Sequence, residues 1–182
     1  MPVASPDQYL EMLDRAKQQG FAYPAINVSS SQTLNAALAG LQAAGSDGII
    51  QVTTGGGDYC SGPTVKNMAT GAAAMAAFAR EVAKNYGITI ALHTDHCAKN
   101  LLPWIDGLLD AGEVFFKETG KPLFSSHMID LSEEPLAENL DQTRVVKLWM
   151  SQRYQVVDHR SHANAIAFEP LELPAALLAF DS

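Results

Sequence analysis

The chain has only two cysteines, Cys60 and Cys97, in 182 residues. That is too few to frame a disulfide-stapled scaffold, so a reducing compartment and a fold that depends on its apolar core are expected. Basic residues are scarce too. Twelve Lys and Arg stand against 20 Asp and Glu, giving a net charge of −8. This balance argues against nucleic acid or an anionic membrane as the main partner. Any phosphate must then be held by backbone amides, hydroxyls and a few local cations. No run of about 18 apolar residues exists, so no membrane-spanning helix is expected. The segment Met1-Pro2-Val3-Ala4-Ser5-Pro6-Asp7 has neither a basic nor an apolar leader, so no signal peptide is expected and the location reads as cytoplasmic. Low-complexity segments and sequence repeats are absent, as are the P-loop and dinucleotide glycine fingerprints.

What is present is a globular composition, 47% hydrophobic and 18% charged, at a length that fits one domain. Ser5-Pro6-Asp7-Gln8 reads as a helix N-cap, a first-turn proline and a capping-box glutamine, with the helix stopping at Gly20. Tyr23–Val28 reads as a short buried strand, and the serines after it cap a helix with Leu34, Ala37, Leu38 and Leu41 on one face, closed by Gly45. Asp47–Val52 is a second strand, running into Thr53-Thr54-Gly55-Gly56-Gly57 and a loop through Cys60-Ser61-Gly62-Pro63. An alanine-rich helix follows, from about Asn67 to Tyr86, then a third strand from Gly87 to Leu92. A helix over Leu101–Glu118, a turn at Gly120-Lys121-Pro122, a strand at Leu123–Ser126 and a helix after Ser132-Glu133-Glu134-Pro135 complete a fourth unit. Strand–helix alternation at this spacing predicts βα units on a parallel sheet.

Every strand ends in chemistry-bearing residues: Asn27, Thr53-Thr54, His93-Thr94-Asp95-His96, and Ser126 to Asp130. In parallel α/β folds the site lies at these carboxyl ends. Asp95 and His96 would face opposite ways on a regular strand, but where the chain curls away both can reach one pocket. A metal ligand, His96, beside a general acid/base, Asp95, is the simplest chemical reading. Asp95 could instead be a helix cap or loop-fixing carboxylate, and His93 an orienting side chain. Thr53 to Gly57 could cradle a phosphate through amides and hydroxyls, or form an ordinary flexible loop. Asn27 could hold a substrate hydroxyl or cap a turn. Asp130 could sit near a metal or anchor the following helix. Cys60 and Cys97 read as unpaired thiols, and Trp104, Phe115 and Phe116 as packing residues.

Tyr23-Pro24-Ala25-Ile26-Asn27, Gly55-Gly56, Leu92-His93-Thr94-Asp95-His96-Cys97, Leu101–Asp110 and Pro122–Asp130 together resemble class II fructose-1,6-bisphosphate aldolase over about residues 1–142. The resemblance implies a zinc-dependent (β/α)₈ barrel, usually a dimer, acting on a phosphorylated sugar in glycolysis and gluconeogenesis. It implies reversible cleavage of the bisphosphate to dihydroxyacetone phosphate and glyceraldehyde 3-phosphate. Zinc would polarise the ketone and stabilise the enediolate without a lysine Schiff base. By the same resemblance Asp95 is the acid/base for the aldehyde-side oxygen and His96 a zinc ligand. Asp130 matches a carboxylate at a second metal position, and Asn27 a substrate-binding asparagine. Thr53 stands where the family usually has a substrate-binding serine. Tagatose-bisphosphate specificity carries the same motifs.

The family's later segments, a Glu-Ile-Glu strand, a Gly-Gly-Glu-Glu loop, two further zinc histidines and phosphate-binding glycine loops, have no counterpart in this sequence. The expected fold class is therefore α/β, a partial (β/α)₈ barrel of about four βα units with an N-terminal helix over 1–142, followed by an irregular, divergent tail over 143–182. His159 and His162 fall in that tail, outside any matched motif. Its abrupt change of character suggests a truncated or frameshifted product. A catalytic zinc takes three protein ligands and an open position, and the matched set supplies one, His96. Poor activity alone, or a phosphosugar- or partner-binding remnant, is the corresponding expectation. Open sheet edges invite self-association or aggregation.

Overall fold

The computed structural model describes residues 2–154. Four parallel strands stand in chain order, β1 (Ala25–Asn27), β2 (Gly48–Val52), β3 (Ile90–Thr94) and β4 (Ser126–His127). The helices are α1 (Pro6–Gln19), α2 (Ser31–Ala44), α3 (Thr54–Ser61), α4 (Met68–Val82), α5 (Leu102–Thr119) and α6 (Leu136–Tyr154). Sequential order in an all-parallel sheet is what a barrel wall requires. The α/β class and the four-unit partial barrel are as expected.

Local signals set most of the boundaries. Ser5 accepts from the Gln8 amide while the Gln8 side chain returns to the Ser5 amide, a complete capping box. Gly20 and Gly120 end α1 and α5 with φ of 69° and 68°, a left-handed conformation that only glycine adopts freely. Ser30 and Asn67 cap α2 and α4.

The register sorts the side chains into layers. Ile26, Ile50 and Leu92 align on one face and enter the main core with Leu34, Leu38, Ala76 and Leu108 from the helices. On the opposite face Ala25, Ile49 and Ala91 form an apolar row near the strands' amino ends. Tyr9 and Met12 of α1 pack on Ile49 and Ala91, so α1 covers this end of the inner face. The ion pair from Arg15 to Asp47, at 2.8 Å, ties α1 to the entry of β2. Residues 2–4 lie parallel to the start of β3, with the Ile90 amide donating to Pro2 and the Ala4 amide to Ile90, each at 2.8 Å. Two residues further along the inner face Asn27, Gln51, His93 and Ser126 stand in register as one polar row across all four strands. The acid/base candidate follows directly above it.

Five expectations need correction. The β1 strand is not buried: Ala25 and Asn27 are exposed, because β1 is the sheet edge with no strand outside it among the described residues. The third strand starts later and runs further than Leu92, taking in His93 and Thr94, whose hydrogen bonds to Ser126 and His127 let the ladder continue through polar residues. The glycine run is not a loop but the first turns of α3, with Thr53 as N-cap. Finally, α6 runs without a break past Thr143 to Tyr154, so Val145 and Val146 are helical. The expected helix to Tyr86 ends at Val82 and gives way to a 3₁₀ turn over Ala83–Asn85. His159, His162 and the apolar segments from Val156 onward lie outside the described residues.

Candidate active site

The carboxyl ends of β1, β3 and β4 bring four of the five predicted site residues together as two hydrogen-bonded pairs. Asn27 ends β1 and donates its Nδ2 to Asp95 Oδ2 at 2.9 Å. Asp95 directly follows β3, and its own amide donates to Val52 O, which holds it against β2. Its carboxyl is buried, whereas the His96 side chain is 61% exposed. The chain does curl at this point, since His96 Nε2 lies 3.8 Å from Asp95 Oδ1. On the other side of the ring, His96 Nδ1 meets Asp130 Oδ2 at 2.9 Å.

Asp130 is fixed by its neighbours. Its amide donates to Cys97 O, and an isolated parallel bridge pairs Ala98 with Asp130, joining the loops after β3 and β4. Its second oxygen, Oδ1, accepts from the Ser132 amide at 3.1 Å and the Ser132 hydroxyl at 2.6 Å. Those donors, the Ser132 hydroxyl first, then its amide and then His96, hold the Asp130 carboxyl below the usual carboxylate range. The sequence places Ser132 at the start of the last helix. Instead its hydroxyl serves Asp130, and α6 begins at Leu136. The sequence did contain a signal: an Asp followed two residues later by Ser is the spacing of an Asx turn. A hollow of about 570 Å³ opens beside this group, lined by Ala98, Lys99, Asn100, Asp130, Ser132 and Glu134.

Thr53, at the end of β2, stands apart from those pairs. Its Oγ1 accepts from the Gly56 amide at 2.8 Å, and its carbonyl accepts from the Gly57 amide. Two amides of the expected phosphate cradle are therefore engaged in capping α3. The glycines serve packing: a Cβ on Gly57 would lie 2.3 Å from Met68 O, and one on Gly71 would lie 1.8 Å from Gly57 O. Here α3 and α4 cross backbone to backbone.

The histidines below the site are structural. His93 Nδ1 bonds Ser126 Oγ at 2.7 Å, and Tyr9 reaches the same serine from α1. Burial pushes His93 down to about 4. His127, on the helix side with Thr94 at 3.0 Å, is pushed down to about 3 by the same cause. Both rings are neutral at physiological pH. Cys60 and Cys97 are free thiols as expected, and burial pushes Cys97 up to about 12, which leaves it inert. Trp104 is buried and Phe115 stacks with the Arg80 guanidinium at 5.3 Å, both in packing roles.

Only part of the donor set suits a zinc ion. His96 presents an imidazole braced by a carboxylate, which is how a metal-binding histidine is commonly held. Among the described residues, however, no group of three or more His, Cys, Asp or Glu comes together that could hold a metal. One good donor is present. A catalytic zinc site is not completed by these residues.

The described residues thus form a parallel barrel segment with a buried carboxyl, a carboxylate-braced imidazole and a hydroxyl at its strand ends. The model of the fructose-bisphosphate aldolase class-II family matches residues 7–158, and this chain belongs to that family. It is 55% identical over 142 residues to fructose-bisphosphate aldolase of Corynebacterium glutamicum, covering 78% of this chain and 41% of that protein. The aldolase of Mycobacterium tuberculosis is 50% identical over 141 residues, with 77% and 41% covered. A solved structure of fructose-bisphosphate aldolase from Campylobacter jejuni superposes with a TM-score of 0.79 at 40% identity, covering 91% of this chain and 46% of that one. The chain thus spans less than half the length of these relatives.

Proposed function

We propose that this chain carries the acid/base portion of a class II aldolase site for a phosphorylated sugar, the reversible cleavage of fructose 1,6-bisphosphate being the reaction of reference. The observation that supports this reading is the bonded series Asn27–Asp95 and His96–Asp130 at the carboxyl ends of β1, β3 and β4. Asp95 moves the proton on the aldehyde-side oxygen, a role that a buried carboxyl at a strand's carboxyl end suits. Asn27 fixes one carboxyl oxygen, leaving the other directed toward His96 and substrate. Thr53 retains a hydroxyl proton to donate to substrate, because its bond to Gly56 uses it as an acceptor. His96 is the first zinc ligand, with Asp130 at its back. The zinc of this reading needs further donors, which makes the chain a poor catalyst by itself. A cytoplasmic enzyme and a dimer belong to the same reading. The incomplete donor set favours a second reading, a phosphosugar- or partner-binding remnant.

A coupled aldolase assay with added zinc separates the two. The chain alone is expected to give no turnover above its Asp95→Ala variant; zinc-dependent turnover lost in that variant would overturn the incomplete-site reading. A chimera then tests the proposed roles: residues 1–142 joined to the remaining portion of the Corynebacterium glutamicum aldolase. It is expected to be active with zinc and to lose about 10²–10⁴-fold with Asp95→Ala, the scale of a general acid/base. A folded chimera that is inactive, or indifferent to Asp95, would remove the acid/base assignment.

A further inference from the structure

We infer that Ser132 is a positioning residue for His96, acting through Asp130 to set the tautomer and direction of the imidazole. This deepens the reading of the same site, though its test does not depend on turnover.

The starting observation is that His96 has little else to hold it. Its side chain is 61% exposed, so packing does not orient the ring. Among the described residues the single contact at hydrogen-bond distance is Nδ1 to Asp130 Oδ2 at 2.9 Å; Nε2 to Asp95 Oδ1, at 3.8 Å, is too long for one. A carboxylate accepts and does not donate, so the proton of the neutral ring sits on Nδ1. Nε2 is then left with its lone pair facing the Asp95 side of the site. That is the less common tautomer of a free imidazole, so something must impose it.

Asp130 imposes it only if its carboxylate stays in place. The backbone is fixed by the bridge to Ala98, but the side chain is one-third exposed and could turn away. Ser132 prevents this by engaging Oδ1 with two donors, amide and hydroxyl, which leaves Oδ2 aimed at His96. The hydroxyl has no competing duty at the helix start, since α6 opens four residues later. Loss of the hydroxyl leaves the amide bond alone to orient the carboxylate.

The test is nitrogen NMR on the isotope-labelled full chain without metal, in alkaline buffer. The His96 signal is identified by its loss in His96→Gln. The Nδ1–H form is expected to dominate in the unaltered chain. In Ser132→Ala the ratio should fall about threefold to tenfold toward that of free imidazole, the scale of one net hydrogen bond. Ser132→Thr, which keeps the hydroxyl, should restore it, and Asp130→Asn should abolish the bias. An unaltered chain with the Nε2–H form, or an Ser132→Ala variant that is folded by its amide spectrum and has an unchanged ratio, would overturn the inference. Failure of the aldolase chimera would leave these signals untouched, so the two readings fail separately.

Discussion

Asn27 and Asp95 are 68 residues apart in sequence and 2.9 Å apart in space, through a hydrogen bond from an exposed edge strand to a buried carboxyl. The bond links β1 to the end of β3 across the intervening β2, one step above the polar row. A carboxylate that loses such a donor is left with one oxygen facing a partly desolvated surface. Asn27→Ala is therefore expected to destabilise the fold by about 1–2 kcal/mol, read as a lower urea midpoint with unchanged slope. Asn27→Asp should be worse than Asn27→Ala, because two carboxylates would meet where an amide now donates. An Asn27→Ala midpoint equal to that of the parent chain would show that the bond contributes nothing.

The crossing of α3 and α4 makes a second prediction. An alanine at Gly71 would place its Cβ 1.8 Å from Gly57 O and 2.8 Å from Ser61 N, both backbone atoms that cannot swing aside. The helices must separate, at a cost of about 3 kcal/mol or more. Gly40 of α2 is the control, since a Cβ there meets nothing within 4 Å. Gly40→Ala should stabilise by about 0.5–1 kcal/mol through helix propensity alone. Thermal melts of the two variants should shift in opposite directions.

Arg80 makes a third. It donates to Leu123 O at 2.9 Å and also to Pro122 O, and lies over the Phe115 ring, so one guanidinium from α4 anchors the approach to β4. Burial pushes it down to about 10, and it remains charged at neutral pH. Arg80→Leu would leave both carbonyls without their donor, with an expected loss of about 2–3 kcal/mol. Arg80→Lys can satisfy at most part of this fork and should fall between. Denaturant titration ranks the three chains; a leucine variant as stable as the parent would remove the anchor.

These features differ in how far the sequence disclosed them. The ends of α1, α2 and α5 were legible because their causes are local: Ser5 with Gln8, Ser30 with Thr33, and glycines at positive φ. The strand ends were legible as places for chemistry, and Asn27, Asp95, His96 and Asp130 do converge there. What was hidden depends on contacts distant in sequence. Three glycines in a row argue against helix by propensity, and only the close passage of α4 explains why α3 forms. The exposure of β1 follows from its place at the edge, which no local pattern states. Ser132 looked like a helix cap, because capping and Asx turns use the same side-chain chemistry.

The two buried histidines give the protein an acid limit that can be worked out in sign. His93 and His127 have folded pKa values depressed to about 4 and about 3, against about 6.5 in the unfolded chain. Above pH 6.5 both states carry neutral rings and pH has no effect through them. Below it the unfolded chain takes up protons that the folded chain refuses, so stability falls as pH drops from about 6.5 toward 4, and further toward 3 for His127. The upper part of the window precedes the ordinary carboxylate range, which separates it from Asp130, whose depressed pKa matters only below the usual Asp value. The loss from His93 could approach about 3 kcal/mol across its window, a large share of a typical domain's stability. Urea midpoints measured between pH 7 and pH 4 should decline, and His127→Gln should flatten part of that decline even if it lowers the midpoint at pH 7. His127 faces Thr94 and the helix side, away from Asp95, so the flattening should come without any change at the candidate site. A midpoint constant from pH 7 to pH 4 would mean that these rings can protonate in the fold, contrary to their burial.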